Sequence, residues 1–212
     1  MNTQDLIGLL ASDPLPAQAP PRRQLPVALL VGGLVCTGLM LVLWGINPDM
    51  DELATHPAFV TKMLWLIALM AFSVDGLQRL ARPGVKAGHT GWGLGLSMLA
   101  MVSLGWIQTL QTPAGERTAQ WLGSSWQVCS SSIAALALPV LAALLWALHQ
   151  LAPTRPTLTG AVAGVMAGSL AASVYSLHCT ETSFAFYSAW YVGGIAAVGL
   201  LGALLGTRFL RW

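Results

Sequence analysis

LPVALLVGGLVCTGLMLVLWG, residues 25–45, holds no charged residue. It matches the roughly 20 apolar residues that a helix needs to cross a hydrocarbon core of about 30 Å. Five more apolar stretches follow, at Phe59–Leu77, Trp92–Leu110, Ser132–Leu151, Thr157–Leu177 and Phe186–Leu205. Hydrocarbon offers no partner to a bare backbone N–H or C=O, so each stretch is expected to be an α-helix. The predicted fold is all-α: a polytopic membrane protein with a six-helix transmembrane bundle and a short cytoplasmic amphipathic segment ahead of it. Residues 1–24 are expected to form a partner-binding segment with a proline tether, and residues 25–212 a six-span sensor domain.

Composition supports lipid as the main surroundings. Of 212 residues 55% are hydrophobic and 8% charged, with a mean hydropathy of +0.67. Soluble domains carry about 25% charged residues, so too little polar material is present to coat a water-facing surface. The formal charge of +2 comes without any basic run, which argues against nucleic-acid binding. Residues 1–24 lack the apolar centre of a secretory signal. The Arg22-Arg23 pair precedes a long apolar run with no A-x-A site, and reads as a topology signal rather than an export signal.

Orientation follows from basic residues. One side receives Arg22, Arg23, Arg79, Arg82, Lys86, Arg155, Arg208 and Arg211; the other receives Arg117 and Lys62. With an even number of spans, both termini are expected in the cytoplasm of a bacterial inner membrane. The outward loops hold Asp49, Asp51, Glu52, Glu116 and Glu181. Trp44, Trp92, Trp146, Trp190 and Trp212 stand at span ends as interface anchors. Short linkers predict an up-and-down bundle.

Intramembrane polar residues are few. Asp75 precedes Arg79 by one helical turn, which predicts a local ion pair. The mid-membrane charges of a proton or ion relay are missing, which disfavours transport. Gly160, Gly164 and Gly168, extended by Ala172, line one face of the fifth span, with a weaker stripe of Gly194, Gly202 and Gly206 on the sixth. Small residues let helices approach closely, and packing within the chain is preferred here to a homodimer seam. Gly91-x-Gly93-x-Gly95 follows no strand and is not a phosphate loop.

Three cysteines form no C-x-x-C, so a thiol oxidoreductase would lack its usual redox pair. Cys36 falls mid-span and reads as a small hydrophobe. Cys129 ends the long outer loop and Cys179 closes the fifth span, on the same outward side, with the turn Ala152–Pro156 returning the chain between them. Such a pair forms a disulfide, binds a soft metal with His178 as a third ligand, or stays buried and inert. No cofactor is expected. At the other end of the chain, Thr3 is placed to cap a short helix with Asp5 in its first turn and Leu6, Ile7, Leu9 and Leu10 on its apolar face. Pro14, Pro16, Pro20 and Pro21 would end it and form a tether. That arrangement suits docking into a groove of a soluble partner, or lying on the membrane surface, where it lacks the usual lysines.

Pro156-Thr157-Leu158-Thr159-Gly160, the glycine ladder, Tyr175-Ser176-Leu177-His178-Cys179-Thr180-Glu181 and Trp190-Tyr191 together resemble the NrsF-type family. These are six-span bacterial membrane proteins that act as negative regulators of an extracytoplasmic-function sigma factor, sigma F. The start, Leu6-Ile7-x-x-Leu10-Ala11-x-Asp13, also resembles that family. The resemblance implies a non-enzymatic, membrane-bound anti-sigma factor whose cytoplasmic segment holds the sigma factor through Leu6, Ile7, Leu10, Ala11 and Asp13. It further implies that Cys129 and Cys179 respond to heavy-metal or oxidative stress and release the partner. The remaining expected partner is the lipid bilayer.

Overall fold

The computed structural model describes residues 2–12, 21–82 and 88–211. Among them the chain is helical, with six helices long and apolar enough to cross a membrane. A short α1 covers Thr3–Ser12. The spans are α2 (Pro21–Leu43), α4 (Pro57–Leu80), α5 (Thr90–Gln111), α7 (Trp126–His149), α8 (Pro156–Tyr175) and α9 (Phe184–Phe209). Two short helices, α3 (Met50–Thr55) and α6 (Arg117–Leu122), lie in the loops at one end of the bundle.

Three local expectations need correction. The residue before Thr3, Asn2, takes the capping place: its carbonyl accepts the Asp5 N–H at 3.0 Å, and its own N–H donates to Asp5 Oδ2 at 3.3 Å. Pro21 opens α2 instead of belonging to a tether. The first turn has no carbonyl to offer its N–H groups, so proline loses nothing there. Pro14, Pro16 and Pro20 lie outside the described residues. The fourth span begins at Trp126 rather than Ser132, because the run Ser130-Ser131-Ser132 is not the break its polarity suggests. Ser131 Oγ bonds the Val128 carbonyl at 3.0 Å and Ser130 Oγ the Trp190 carbonyl at 2.8 Å. This moves Cys129 from a loop into the first helical turn.

At the centre stands α8, which packs against α9, α7, α4 and α2. The two glycine stripes meet each other. A Cβ on Gly160 would strike the Gly202 carbonyl and lie 2.9 Å from Gly206 Cα, and one on Gly164 would lie 2.8 Å from Gly199 Cα. Gly168 meets Ile195, while Gly194 belongs to a different contact, against Ser130 and Ile133 of α7. Outward faces of the bundle are apolar and uncovered, as at Leu34, Val42, Leu110 and Leu204; these are lipid-facing surfaces. Trp92 and Trp146 are exposed at span ends as anchors would be. Trp190 is not: its Nε1–H donates to the Trp121 carbonyl at 2.8 Å and its ring packs on Trp126. Trp212 lies outside the described residues.

Replacing Gly160 with Ile should force α8 and α9 apart at a cost of about 3 kcal/mol, the upper end for overpacking. Gly38, which has open space around it, should accept Ala within about 0.5 kcal/mol. Thermal unfolding of the detergent-solubilised protein checks both; equal shifts would remove the seam from its central place.

Candidate functional site

Cys129 and Cys179 meet at one end of the bundle. Cys129 is on the first turn of α7, where its N–H donates to the Ser125 carbonyl at 3.0 Å. Beyond Tyr175 the chain makes one more turn, with the His178 and Cys179 N–H groups both donating to the Tyr175 carbonyl, and this aims Cys179 inward. Both cysteines are buried and unoxidised. Their side chains are hydrogen-bonded to one another.

Cys179, outside the spans, has its thiol held below the ordinary range. The hydrogen bond from Cys129 is the largest cause, and the Lys62 charge, the Tyr191 hydroxyl and the Glu181 N–H add to it, while burial opposes them. Tyr191 comes from a turn of π-helix, Tyr187–Tyr191, that opens the regular part of α9. Such turns widen a helix locally and recur at functional sites. Here it sets the Tyr187 and Tyr191 rings 5.4 Å apart, edge to face. The Tyr187 hydroxyl donates to the Glu181 carbonyl, and Ser176 Oγ lies 3.3 Å from the Tyr191 hydroxyl.

Sequence reading set Lys62 near the start of the second span and gave no sign of its burial. Its side chain is completely buried, with Nζ 4.6 Å from the Tyr187 ring centroid, 4.9 Å from Phe59 and 5.1 Å from Tyr191. Desolvated cation–π contacts are worth about 2 kcal/mol each, against an effective penalty of several kcal/mol for a buried ion. A lysine one turn inside an apolar span gives no sign in sequence that three aromatic rings, two of them from a distant helix, close around it.

Beside the pair, Glu181 fastens the loops at this end of the bundle. Its Oε1 accepts the Ser124 N–H at 2.6 Å and the Ser124 hydroxyl at 2.7 Å. Gly123 makes room: at φ +57° its backbone is left-handed, and a Cβ would lie 2.7 Å from the Glu181 carboxylate. A cavity of about 550 Å³ lies beside this clamp, lined by Trp44, Asn47, Ser124, His178, Cys179 and Thr180 among others. It gives a small molecule a way to Cys179.

The structure brings together Cys129 and Cys179 but not a metal-ligand set: among the described residues no three His, Cys, Asp or Glu side chains are grouped to hold an ion. His178 lines the cavity, its ring 6.0 Å from Tyr175. Gly160, Gly164 and Gly168 pack α8 on α9. Cys36 sits in the apolar core. The predicted Asp75–Arg79 ion pair is present at 2.8 Å, near the opposite end of α4. In α1 the Ile7 side chain is exposed. Asp13 and the side chains of Leu6, Leu10 and Ala11 lie outside the described residues.

Residues 10–212 match the family NrsF, described as negative regulator of sigma F. The chain is 37% identical over 213 residues to the probable anti-sigma-F factor NrsF of Azospira oryzae, and 38% identical over 216 residues to the anti-sigma-F factor NrsF of Caulobacter vibrioides. Both alignments cover the whole of each chain. No solved structure matches.

Because its thiol is depressed and borders the cavity, Cys179 should be alkylated by iodoacetamide at neutral pH well before Cys36, as read by peptide mass spectrometry. Glu181→Ala should cost about 1–3 kcal/mol through the lost charged hydrogen bonds and speed that alkylation further. An unchanged rate would show that the clamp does not cover the thiols.

Proposed function

The chain belongs to the NrsF family of negative regulators of sigma F and is an anti-sigma factor; from that premise we propose that it holds an extracytoplasmic-function sigma factor at the inner membrane and releases it when its thiols are modified. It works as a binding and sensing protein, not an enzyme. The observation that carries this reading is the meeting of Cys129 and Cys179 beneath a solvent-sized cavity, at the end of the bundle opposite Arg82, Arg155 and Arg208. Basic residues mark the cytoplasmic face, so the thiols face the periplasm, where heavy metals and oxidants arrive first. Oxidation joins the two sulfur atoms; a soft metal bridges them. Either product differs from the reduced pair in its interactions with the bundle, and that difference is what shifts the balance between a holding and a releasing state.

The holding surface is cytoplasmic. Residues 1–24, with Leu6, Ile7, Leu10, Ala11 and Asp13, provide a partner-binding segment, joined by the loops 78–89 and 152–156 and the tail 207–212. Residues 25–212 form the sensor.

Serine at both Cys129 and Cys179 should keep the sigma factor bound under cadmium or oxidant challenge, cutting release at least about 5-fold in a co-purification assay; normal release by this variant would sink the sensing claim. Phosphatase fusions in the loop 112–116 should be active and fusions after Arg211 inactive, and the reverse pattern would invert the whole assignment.

A further inference from the structure

Among the described residues, Lys62 is the charged side chain that the bundle encloses completely, and the anti-sigma reading above gives it no role. Its Nζ has no hydrogen-bond partner there. Three ring faces lie 4.6–5.1 Å away, and a ring face attracts a cation without neutralising it. No carboxylate stands within ion-pair distance: the ion pair found among the described residues is Asp75–Arg79, far along the same helix. The Glu181 carboxylate is turned toward Ser124. What remains is the thiol pair: the Tyr187 and Tyr191 rings that face Nζ have their hydroxyls on the Glu181 carbonyl and the Ser176 hydroxyl, the residues on either side of Cys179.

We propose that Lys62 is the counter-cation of the Cys129–Cys179 pair and that modification of the thiols, by removing their negative charge, displaces α4. The proposal rests on the thiol-sensing reading and names the part that converts chemistry into movement. Lys62 is a positioning residue: in the reduced protein its unbonded ammonium and the Cys179 sulfur attract one another through space, consistent with the depressed Cys179 thiol. With an azodicarboxamide as oxidant, the Cys179 thiolate adds across the N=N bond and Cys129 sulfur then displaces the nitrogen from Cys179. The disulfide forms, and the oxidant leaves as the hydrazine with two electrons, one proton from Cys129 and one from water. The lysine is then a buried charge with only rings around it, and it draws the start of α4 toward the cavity beside Cys179. α4 has no internal proline and spans 24 residues, about 36 Å at the helical rise. A shift at Lys62 therefore moves Asp75 and Arg79 at the other end.

Lysine supplies its own probe, because the chain has two, Lys62 and Lys86. Protein labelled at lysine Cε and Nζ, solubilised with its sigma factor bound, is observed by NMR before and after diamide. A displaced Lys62 signal with Lys86 unmoved is expected. An unmoved Lys62 signal in protein whose disulfide is confirmed by mass spectrometry overturns the proposal, as do equal shifts of both. Lys62→Met should still form the disulfide yet release about 10-fold less sigma factor, with release restored in Lys62→Arg; release equal to the parent's would also overturn it. Should Lys62→Met not fold, the spectrum of the unsubstituted protein decides alone. Oxidised parent protein that keeps its sigma factor sinks the sensing reading and the proposal together, whereas release with a stationary Lys62 signal sinks the proposal alone.

Discussion

The close approach of α8 and α9 sets the rest of the structure. Lipid tails are as apolar as leucine, so helices in a bilayer gain little by exchanging lipid for one another, and packing decides their association. The glycines at 160, 164, 202 and 206 bring backbone to backbone there, with no room for a single Cβ. One end of that seam is where Cys179 leaves α8 and where Tyr187 and Tyr191 enter α9. The placement of Cys179 relative to Tyr187 and Tyr191 is therefore fixed by glycine contacts well below them. α8 in turn becomes the post against which α4 and α7 pack, and those bring Lys62 and Cys129.

At the outward end polar groups take over from shape. Buried hydroxyls are tolerated where each has a partner: Tyr187 on the Glu181 carbonyl, Ser176 on the Ala172 carbonyl at 2.8 Å, Thr109 on the Gly105 carbonyl at 2.7 Å. Most of these bonds are local and would survive a small movement of the helices. Those that cross between elements include Ser124–Glu181, Trp190–Trp121, Ser130–Trp190 and the Ala185 N–H on Gln108 Oε1 at 3.1 Å. They hold α5, α6, α7 and the start of α9 together as one cap. α4 is outside that cap, tied to α5 by the Trp65 N–H on the Ser97 carbonyl at 3.0 Å and by tight contacts of Gly76 with Thr90 and of Gly93 with Phe72. α4 thus joins the braced part through α5 and through its packing on α8.

The spans, their number and the glycine stripes were legible in the sequence because they depend on one-dimensional properties: apolar length and spacing along one helix. The Asp75–Arg79 pair was legible for the same reason. Partners across helices were not. Cys129 and Cys179 were placed at a common depth by topology, but their contact needed the extra turn after Tyr175 and the early start of α7, both hidden by serines that hydrogen-bond to backbone. Trp190 sits at a span end, as an anchor does, yet its N–H goes to Trp121. The burial of Lys62 was hidden because a lysine near a helix start ordinarily extends its ammonium to the interface; the Tyr187 and Tyr191 rings that enclose it come from a helix more than a hundred residues away, on its π-turn.

Under the proposed function, residues 1–24 make a lean partner-binding end, and its energetics suit a switch. Leu6, Ile7, Leu9 and Leu10 are four apolar side chains, worth about 1.5–3 kcal/mol each when fully buried, or roughly 6–12 kcal/mol together. Association itself costs about 4–15 kcal/mol. The balance lies near zero, so on that reading a held sigma factor needs further surface from the loops 78–89 and 152–156, and attachment to the bundle keeps the segment at high local concentration beside them. A hold divided between a short helix and the loops of a bundle is weakened by any movement that separates the two. Each 1.4 kcal/mol lost is a factor of ten in occupancy. A partner bound through one large rigid face would demand far more from two sulfur atoms on the other side of the membrane.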